Sequence, residues 1–312
     1  MDYFAFADRN LRAVEAARLG RFTSEDIGDC HARLGYRGFV HCVAAEGEPS
    51  FVMFTNADDV VAGHYHYVGP ASFETGTLKV WSHLARRSSW IYDVGSFTGV
   101  FALAALAANP NCRVMAFEPS FVTYSRLLVN IYANGFDGQI APLRAGLGSG
   151  EAELELRHSS GVYVMSSDET FVQGKVVDPW FTEKVPVLSL DHLLSHQDDY
   201  RQLIVLANRF EGVDLIKIDV EGFEAEVLKG MRGTIDRYHP TVIVEVLDNN
   251  NEFLDLPVLN ARIEDLLDLF GPGYRVLHIA ETSGAFTDEI KGRNHLFIHD
   301  SKVSLLSDYP AA

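Results

Sequence analysis

The chain has 312 residues, 47% hydrophobic and 11% aromatic, enough to bury the core of one large domain plus an appendage, or of two modest domains, and too apolar for a disordered polymer. Its 43 acidic and 26 basic residues give a net charge of −17 with no Lys/Arg cluster among aromatics, which excludes a nucleic-acid backbone as partner and favours a neutral or small-molecule one. Cys30, Cys42 and Cys112 follow no metal-ligand spacing and cannot all pair with one another, so three buried thiols in a reducing compartment are expected.

The N-terminal "MDYFAFADRNLRAVEAARLG" carries Asp2 and Asp8 where a secretory leader needs a basic start and an apolar run. No stretch approaches the ~18 apolar residues of a membrane span, so a soluble, cytoplasmic protein is expected. "SEDIGDCHARLGYRG" predicts a helix with Ser24 as its N-cap and acids in its first turn, stopped by Gly35 or Gly38, and "PSFVMFTN" predicts a strand. The adjacent acids of "FTNADDVV" read as a solvated turn. "GHYHY" puts His64 and His66 on one face of an extended segment, a spacing suited to a metal or an acceptor pocket, with a structural role as the alternative. Residues 1–88 are expected to form an N-terminal α+β cap.

From Trp90 onward, apolar runs alternate with helix-like segments: "WIYDVG", "RVMAFEP", "GQIAPLRAGLG", "VDLIKIDVEG", "PTVIVEVLD" and "NHLFIHD". This alternation predicts βαβ units, hence an α/β fold with a mostly parallel sheet and helices on both faces. Between the third and fourth runs, "AELELR" and "EKVPVLSL" alternate with period two, so residues 148–188 are expected to form a hairpin-like excursion beside the sheet. Within it His158, Tyr163 and Trp180 are candidates for stacking on a glycan.

Asp93 closes the first run, Gly95 permits a tight turn, and Gly99 lets the backbone come close to a ligand or to a neighbouring element before a small-residue helix begins. The spacing is G-x-x-x-G, not the G-x-G-x-x-G of a dinucleotide site, and Asp93 would repel a diphosphate while welcoming an ammonium. Glu118 ends the second run, about 25 residues further on, where a carboxylate can accept hydrogen bonds from both hydroxyls of a ribose, and Pro119 stops the strand. Asp93 and Glu118 together suit a nucleoside with a cationic tail, such as S-adenosylmethionine.

"YDVGSFTGVFALAAL", "RVMAFEPSFVTYSRLLVNIYANG", "VPVLSLDHLL", "VDLIKIDVEGFEAEVLKGM", "HPTVIVEV" and "NHLFIHD" together resemble the FkbM-type S-adenosylmethionine-dependent methyltransferases, over roughly Trp90 to Asp300. The resemblance implies a seven-stranded class I, Rossmann-like methyltransferase domain over residues 89–312, and methyl transfer to an acceptor, commonly a hydroxyl of a sugar or secondary metabolite. It also implies a cofactor site at Asp93, Gly95, Ser96, Thr98, Gly99, Glu118 and Pro119. The family usually has Ala-Asn where this chain has Ser96-Phe97, which leaves the side-chain contacts of that turn open. N-methylation is the rival activity, lowered by "DVEG" standing where many such enzymes have N/D-P-P-Y/F; a noncatalytic nucleoside-binding module is a further alternative.

In "VDLIKIDVEGFE", Lys217 and Asp219 share one face of a strand whose other residues are apolar, and buried charges need partners or a task. Lys217 is free to pair with Asp219, Asp93 or Glu245. Asp219, at the ligand-binding end of its strand, and Glu221, in the turn opened by Gly222, are the candidate general bases, with Lys217 beside them. An equally physical alternative has Asp219, Glu245 and Asp248 or Asn249 holding Mg²⁺ to acidify the acceptor; the metal-free arrangement is preferred because one base needs only one carboxylate. The expected partner is a small-molecule or glycan acceptor, and the oligomeric state is not legible.

Overall fold

The computed structural model describes residues 3–20, 22–158, 170–172, 178–200, 210–246, 262–290 and 292–310. Tyr163, Asp248 and Asn249 lie outside the described residues. Seven short runs form the principal strands of one sheet: β1 (Trp90–Val94), β2 (Arg113–Phe117), β3 (Ile140–Leu143), β4 (Leu215–Ile218), β5 (Thr241–Glu245), β6 (Tyr274–Ile279) and β7 (Asn294–His299). Across the sheet they run β6-β7-β5-β4-β1-β2-β3, and a two-residue strand, Phe286–Thr287, extends the β6 edge. Neighbours from β5 through β3 pair in parallel, while β7 is antiparallel to both β5 and β6. This order, with one reversed strand near the edge, is that of the Rossmann-like class I methyltransferases. Its direction of winding switches between β1 and β4, and the carboxyl ends of strands at such a switch point are where open α/β sheets bind ligands.

Two details depart from expectation. β6 was not foreseen, because "YRVLHI" has only one fully buried position and so lacks the apolar run that marks the central strands. "GQIAPLRAGLG" serves two sheets: β3 stays in the main one, and Gly146–Leu147 leaves to pair with Phe181–Leu188, which also pairs antiparallel with Ala152–His158.

Strand periodicity sorts the core into two layers. Ile91, Leu215, Ile243, Leu296 and Ile298 face one side, against helices Thr75–Ala85 and Val100–Ala108. Tyr92, Ile216, Ile218, Val242, Val244 and Phe297 face the other, against Val227, Leu228, Ile235 and Leu266 of the later helices. The small residues of Val100–Ala108 let that helix sit close under its neighbours, and Val40, Cys42, Phe51, Met53 and Trp81 of the N-terminal segment pack into the same apolar cluster. The outer edge of the N-terminal hairpin (Arg37–Val43 with Ser50–Asn56) is closed by two asparagines, Asn130 in helix Phe121–Ala133 and Asn134 at its C-cap. The amide of Phe54 donates to Asn130 (2.7 Å) and that of Val52 to Asn134 (2.9 Å), which covers an edge that would otherwise be open to another strand. All three cysteines are buried and unpaired, and no described helix is long and apolar enough to cross a membrane.

The histidine segment differs from expectation. "VVAGHYHY" is a helix, Val60–Tyr67, capped by the buried Asp59, whose carboxylate accepts from the amide of Ala62. Residues two apart on a helix do not share a face. His66 stacks on Tyr36 (3.9 Å) and His64 meets Phe73 edge-on (5.6 Å). The neighbouring acids are no solvated turn either: Asp58 forms a two-pronged pair with Arg126.

Candidate active site at the carboxyl end of the sheet

The turn after β1 is built by backbone contacts. Gly95 and Ser96 both donate to the carbonyl of Phe117 (3.0 and 2.9 Å), while Asp219 donates to the carbonyl of Val94 (2.9 Å), so the exits of β1, β2 and β4 are locked together. Gly95 has φ +82°, and a Cβ there would lie 1.7 Å from the carbonyl oxygen of Asp219. Gly99 (φ +101°) precedes the helix, where a Cβ would collide with Leu127. The glycine spacing is therefore first a matter of fitting strands and helices together. The Ser96 hydroxyl turns back to the carbonyl of Asp93 (2.7 Å), and Thr98 is fully buried, its carbonyl accepting from Asn130.

Two buried acids flank this turn. Glu118 accepts from the amide of Phe97 (2.8 Å) at one oxygen, and from the Ser120 amide (2.9 Å) and Thr123 hydroxyl (2.7 Å) at the other. Its position beyond β2 is thus fixed on both sides of Pro119, and Phe97 holds a left-handed backbone (φ 50°) that aims its amide there. Asp93 is 1% exposed and accepts from the amide of Ala102 (3.0 Å), one turn into the helix. Its other oxygen is buried without a hydrogen-bond partner among the described residues. Burial pushes the Asp93 carboxyl up to about 7, against the opposing pull of Lys217.

A row of polar residues crosses the carboxyl end on the face that carries Ile91 and Ile243. The register aligns Asp93 of β1 with Lys217 of β4, Lys217 with Ile243 of β5, and Glu245 with Asn294 of β7. Lys217 is fully buried, pairs with Asp219 (3.0 Å) and lies 4.9 Å from the centre of the Phe101 ring. Burial works against its charge, but Asp219, Glu74 and Glu245 outweigh it and hold the ammonium above the usual lysine value. Glu74, from the segment before helix Thr75–Ala85, was not expected here. It reaches over the row with a carboxylate oxygen that lies, with one each from Asp219 and Glu245, in a group mutually within 4.8 Å. Asn294 donates to Glu74 (3.1 Å). Burial, then Asp219, raise the Glu245 carboxyl well above its ordinary value, and burial brings Glu74 to about 7.

Of the divalent-cation arrangement of Asp219, Glu245 and Asp248, the structure brings Asp219 and Glu245 together with Glu74, while the ammonium of Lys217 engages Asp219 and Arg293 lies 3.9 Å from Glu245; Asp248 lies outside the described residues. Glu221 stands beside the cluster in a left-handed conformation (φ 54°), its carbonyl accepting from Thr170 (2.9 Å). His158 is buried in the excursion, stacked on Phe181 (3.8 Å) and bonded to Glu183 (3.0 Å), whereas Trp180 is exposed. His64 and His66 are not brought to this row by any contact described above.

Residues 93–276, the greater part of the chain, match the model of the methyltransferase FkbM domain. The chain belongs to that family. Relatives of similar sequence include Methyltransferase 1 of Beauveria bassiana, 26% identical over 53% of this chain and 67% of its own length, and Methyltransferase sdnD of Sordaria araneosa, 27% identical over 56% and 72%. The hexuronic acid methyltransferase AglP of Haloferax volcanii is 27% identical over 55% of this chain and 62% of its own length. A crystal structure of an FkbM methyltransferase from Methylobacillus flagellatus aligns over 96% of this chain and 61% of that one, with 16% identity and a TM-score of 0.42. The matched FkbM segment of the present chain begins at Asp93 and takes in Glu118, Lys217, Asp219 and Glu245; Glu74 lies before it.

Proposed function

We propose that this FkbM-domain protein is an S-adenosylmethionine-dependent O-methyltransferase acting on a hydroxyl of a carbohydrate or natural product, with residues 89–312 as the catalytic domain and 1–88 as a cover on the acceptor side. The observation that carries the proposal is the pair of buried acids, Asp93 and Glu118, on either side of the Gly95–Gly99 turn, one of them with an orphaned buried oxygen. That donor set fits the cofactor: an acid raised by burial and lacking a full partner gains from an ammonium, and a carboxylate fixed by three donors at a strand end retains acceptor capacity for ribose hydroxyls. When bound, S-adenosylmethionine supplies a methyl carbon made electrophilic by sulfonium sulfur.

The chain's own part is to bind, align and manage a proton. Asp93 holds the ammonium and Glu118 the ribose, with Gly95 to Gly99 and Pro119 shaping the wall between them. Asp219, oriented by Lys217, accepts a hydrogen bond from the acceptor hydroxyl and aims its oxygen, with Glu221 beside it at the turn. Alignment of that kind is worth up to about 7–11 kcal/mol of barrier and a positioned base roughly 10²- to 10⁴-fold in rate. A neutral polyol is the acceptor class that suits a carboxyl-lined site on a chain of net charge −17.

Calorimetry is expected to show binding of S-adenosylmethionine and S-adenosylhomocysteine but not NAD; tight NAD binding would sink the reading. Glu118→Ala should weaken S-adenosylhomocysteine by roughly 10- to 100-fold, the loss of one or two hydrogen bonds to a charged group. Undiminished affinity in that variant would remove Glu118 from the ribose site.

A further inference from the structure

We propose that Asn130 is a positioning residue that couples seating of the N-terminal hairpin to the order of the cofactor turn, so that bound S-adenosylmethionine and the cover stabilise one another. This coupling rests on the methyl-transfer reading above, in which residues 1–88 cover the acceptor side.

Helix Phe121–Ala133 presents two polar stripes. Thr123, Leu127 and Asn130, spaced i, i+4 and i+7, face the cofactor turn. The Thr123 hydroxyl donates to Glu118 (2.7 Å), a Cβ at Gly99 would meet Leu127, and the side-chain amide of Asn130 donates to the carbonyl of Thr98 (2.8 Å). Arg126, Asn130 and the C-cap residue Asn134, each four residues from the next, face the edge strand of the hairpin, Ser50–Asn56. There Arg126 donates to the carbonyl of Phe54 (3.0 Å) and Asn130 accepts from the amide of Phe54 (2.7 Å). Asn134 accepts from the amide of Val52 (2.9 Å) and donates to its carbonyl (2.8 Å). Asn130 is the position that the two stripes share.

The orientation of its carboxamide follows from its partners, because the Phe54 backbone nitrogen is a donor and the Thr98 carbonyl an acceptor. Asn130 is fully buried, and a polar side chain in that setting is costly unless its bonds are met. The peptide unit joining Thr98 to Gly99 is held at both ends, its carbonyl by Asn130 and its N–H by the carbonyl of Ser96 (2.8 Å). One residue earlier, the amide of Phe97 is the one that Glu118 receives (2.8 Å). The turn between Asp93 and Glu118 is therefore set in part by a side chain whose other end lies on the hairpin.

Withdrawal of the hairpin takes the Phe54 donor from Oδ1 of Asn130 and frees the carboxamide to rotate, which leaves the buried Thr98 carbonyl without its bond. A turn ordered by ligand holds the carboxamide in the rotamer that receives Phe54. Each event favours the other, and by linkage the two effects are equal in free energy. Asn134 supplies the contrast within the same helix. Its bonds go to Val52 and to the backbone carbonyl of Asn130 (2.7 Å), not to the turn.

The test uses the full-length protein with S-adenosylhomocysteine as ligand. Hydrogen exchange is read at the amide of Val52, which bonds to Asn134, with the amide of Ile216 in the central strand β4 as reference for global opening. In the wild type, saturating ligand is expected to slow Val52 about five-fold or more beyond any slowing at Ile216, and in Asn130→Ala that excess should fall within about two-fold. Calorimetry should find the ligand weakened about five-fold or more by Asn130→Ala but within about two-fold of wild type in Asn134→Ala, although both variants lose bonds to the hairpin. A wild type that binds the ligand with no excess slowing at Val52 overturns the coupling, whether or not either variant folds. An excess that persists in Asn130→Ala, or equal losses of affinity in the two variants, overturns it as well. Failure of the wild type to bind S-adenosylhomocysteine overturns the methyltransferase reading, and the coupling with it.

Discussion

Gly95→Ala is expected to cost at least about 3 kcal/mol of folding stability, the range in which single substitutions report backbone overlap in a packed interior. The new methyl would stand 1.7 Å from the carbonyl oxygen of Asp219 and 2.8 Å from its carbonyl carbon, both backbone atoms that no rotamer change can move. Relief would have to come from separating the exits of β1 and β4. That separation would break the bond of Asp219 to the Val94 carbonyl and would displace Asp219 from Lys217. The positive φ alone is a smaller matter, and Gly135 provides the control: φ is +69°, but nothing lies within 4 Å of a Cβ there. Gly135→Ala should therefore lose only about 1 kcal/mol. Urea unfolding of the two variants measures both quantities, and equal losses would show that conformation, not collision, makes Gly95 indispensable.

The same geometry explains why this end of the site was legible in the sequence. Asp93, Gly95, Gly99 and Glu118 belong to two consecutive βα units, so strand periodicity and turn chemistry put them at adjacent strand ends before any tertiary contact is known. Lys217 and Asp219 announced themselves as charges two apart in a buried strand. Glu74 could not be found that way. It lies in "SFETG", an ordinary polar loop by composition, and reaches Asp219 only because helix Thr75–Ala85 packs on Val100–Ala108 and Gly76 docks on Glu281. The helix Val60–Tyr67 was hidden for a related reason. Two β-branched residues and a mid-helix glycine argue for extended chain, and only the Asp59 cap and burial of Tyr65 and Tyr67 tip the balance.

Asp93→Asn should stabilise the protein free of cofactor at pH 8 and weaken cofactor binding, because the acid at that position is retained at a cost to the fold. The unfolded carboxyl titrates near 3.9 and the folded one near 7, so the native state binds the extra proton. With the folded value raised, the contribution of Asp93 is complete below about pH 4 and is lost progressively as pH rises toward 7, a loss of roughly 4 kcal/mol for a shift of about three units. Asparagine does not titrate, and its side-chain oxygen can still accept from the amide of Ala102. The variant should therefore gain on the wild type between pH 4.5 and 7 and keep that lead at pH 8. Saturating S-adenosylhomocysteine should narrow the lead, since its ammonium compensates an ionised Asp93 but not an amide, and the dissociation constant of the variant should rise about ten-fold or more. Urea unfolding at pH 4.5 and pH 8, with and without S-adenosylhomocysteine, reads all of these together. A stability difference that does not change with pH would mean Asp93 is ionised in the folded protein at all these values, with Lys217 compensating it, and the ammonium of the cofactor would then have to be held elsewhere.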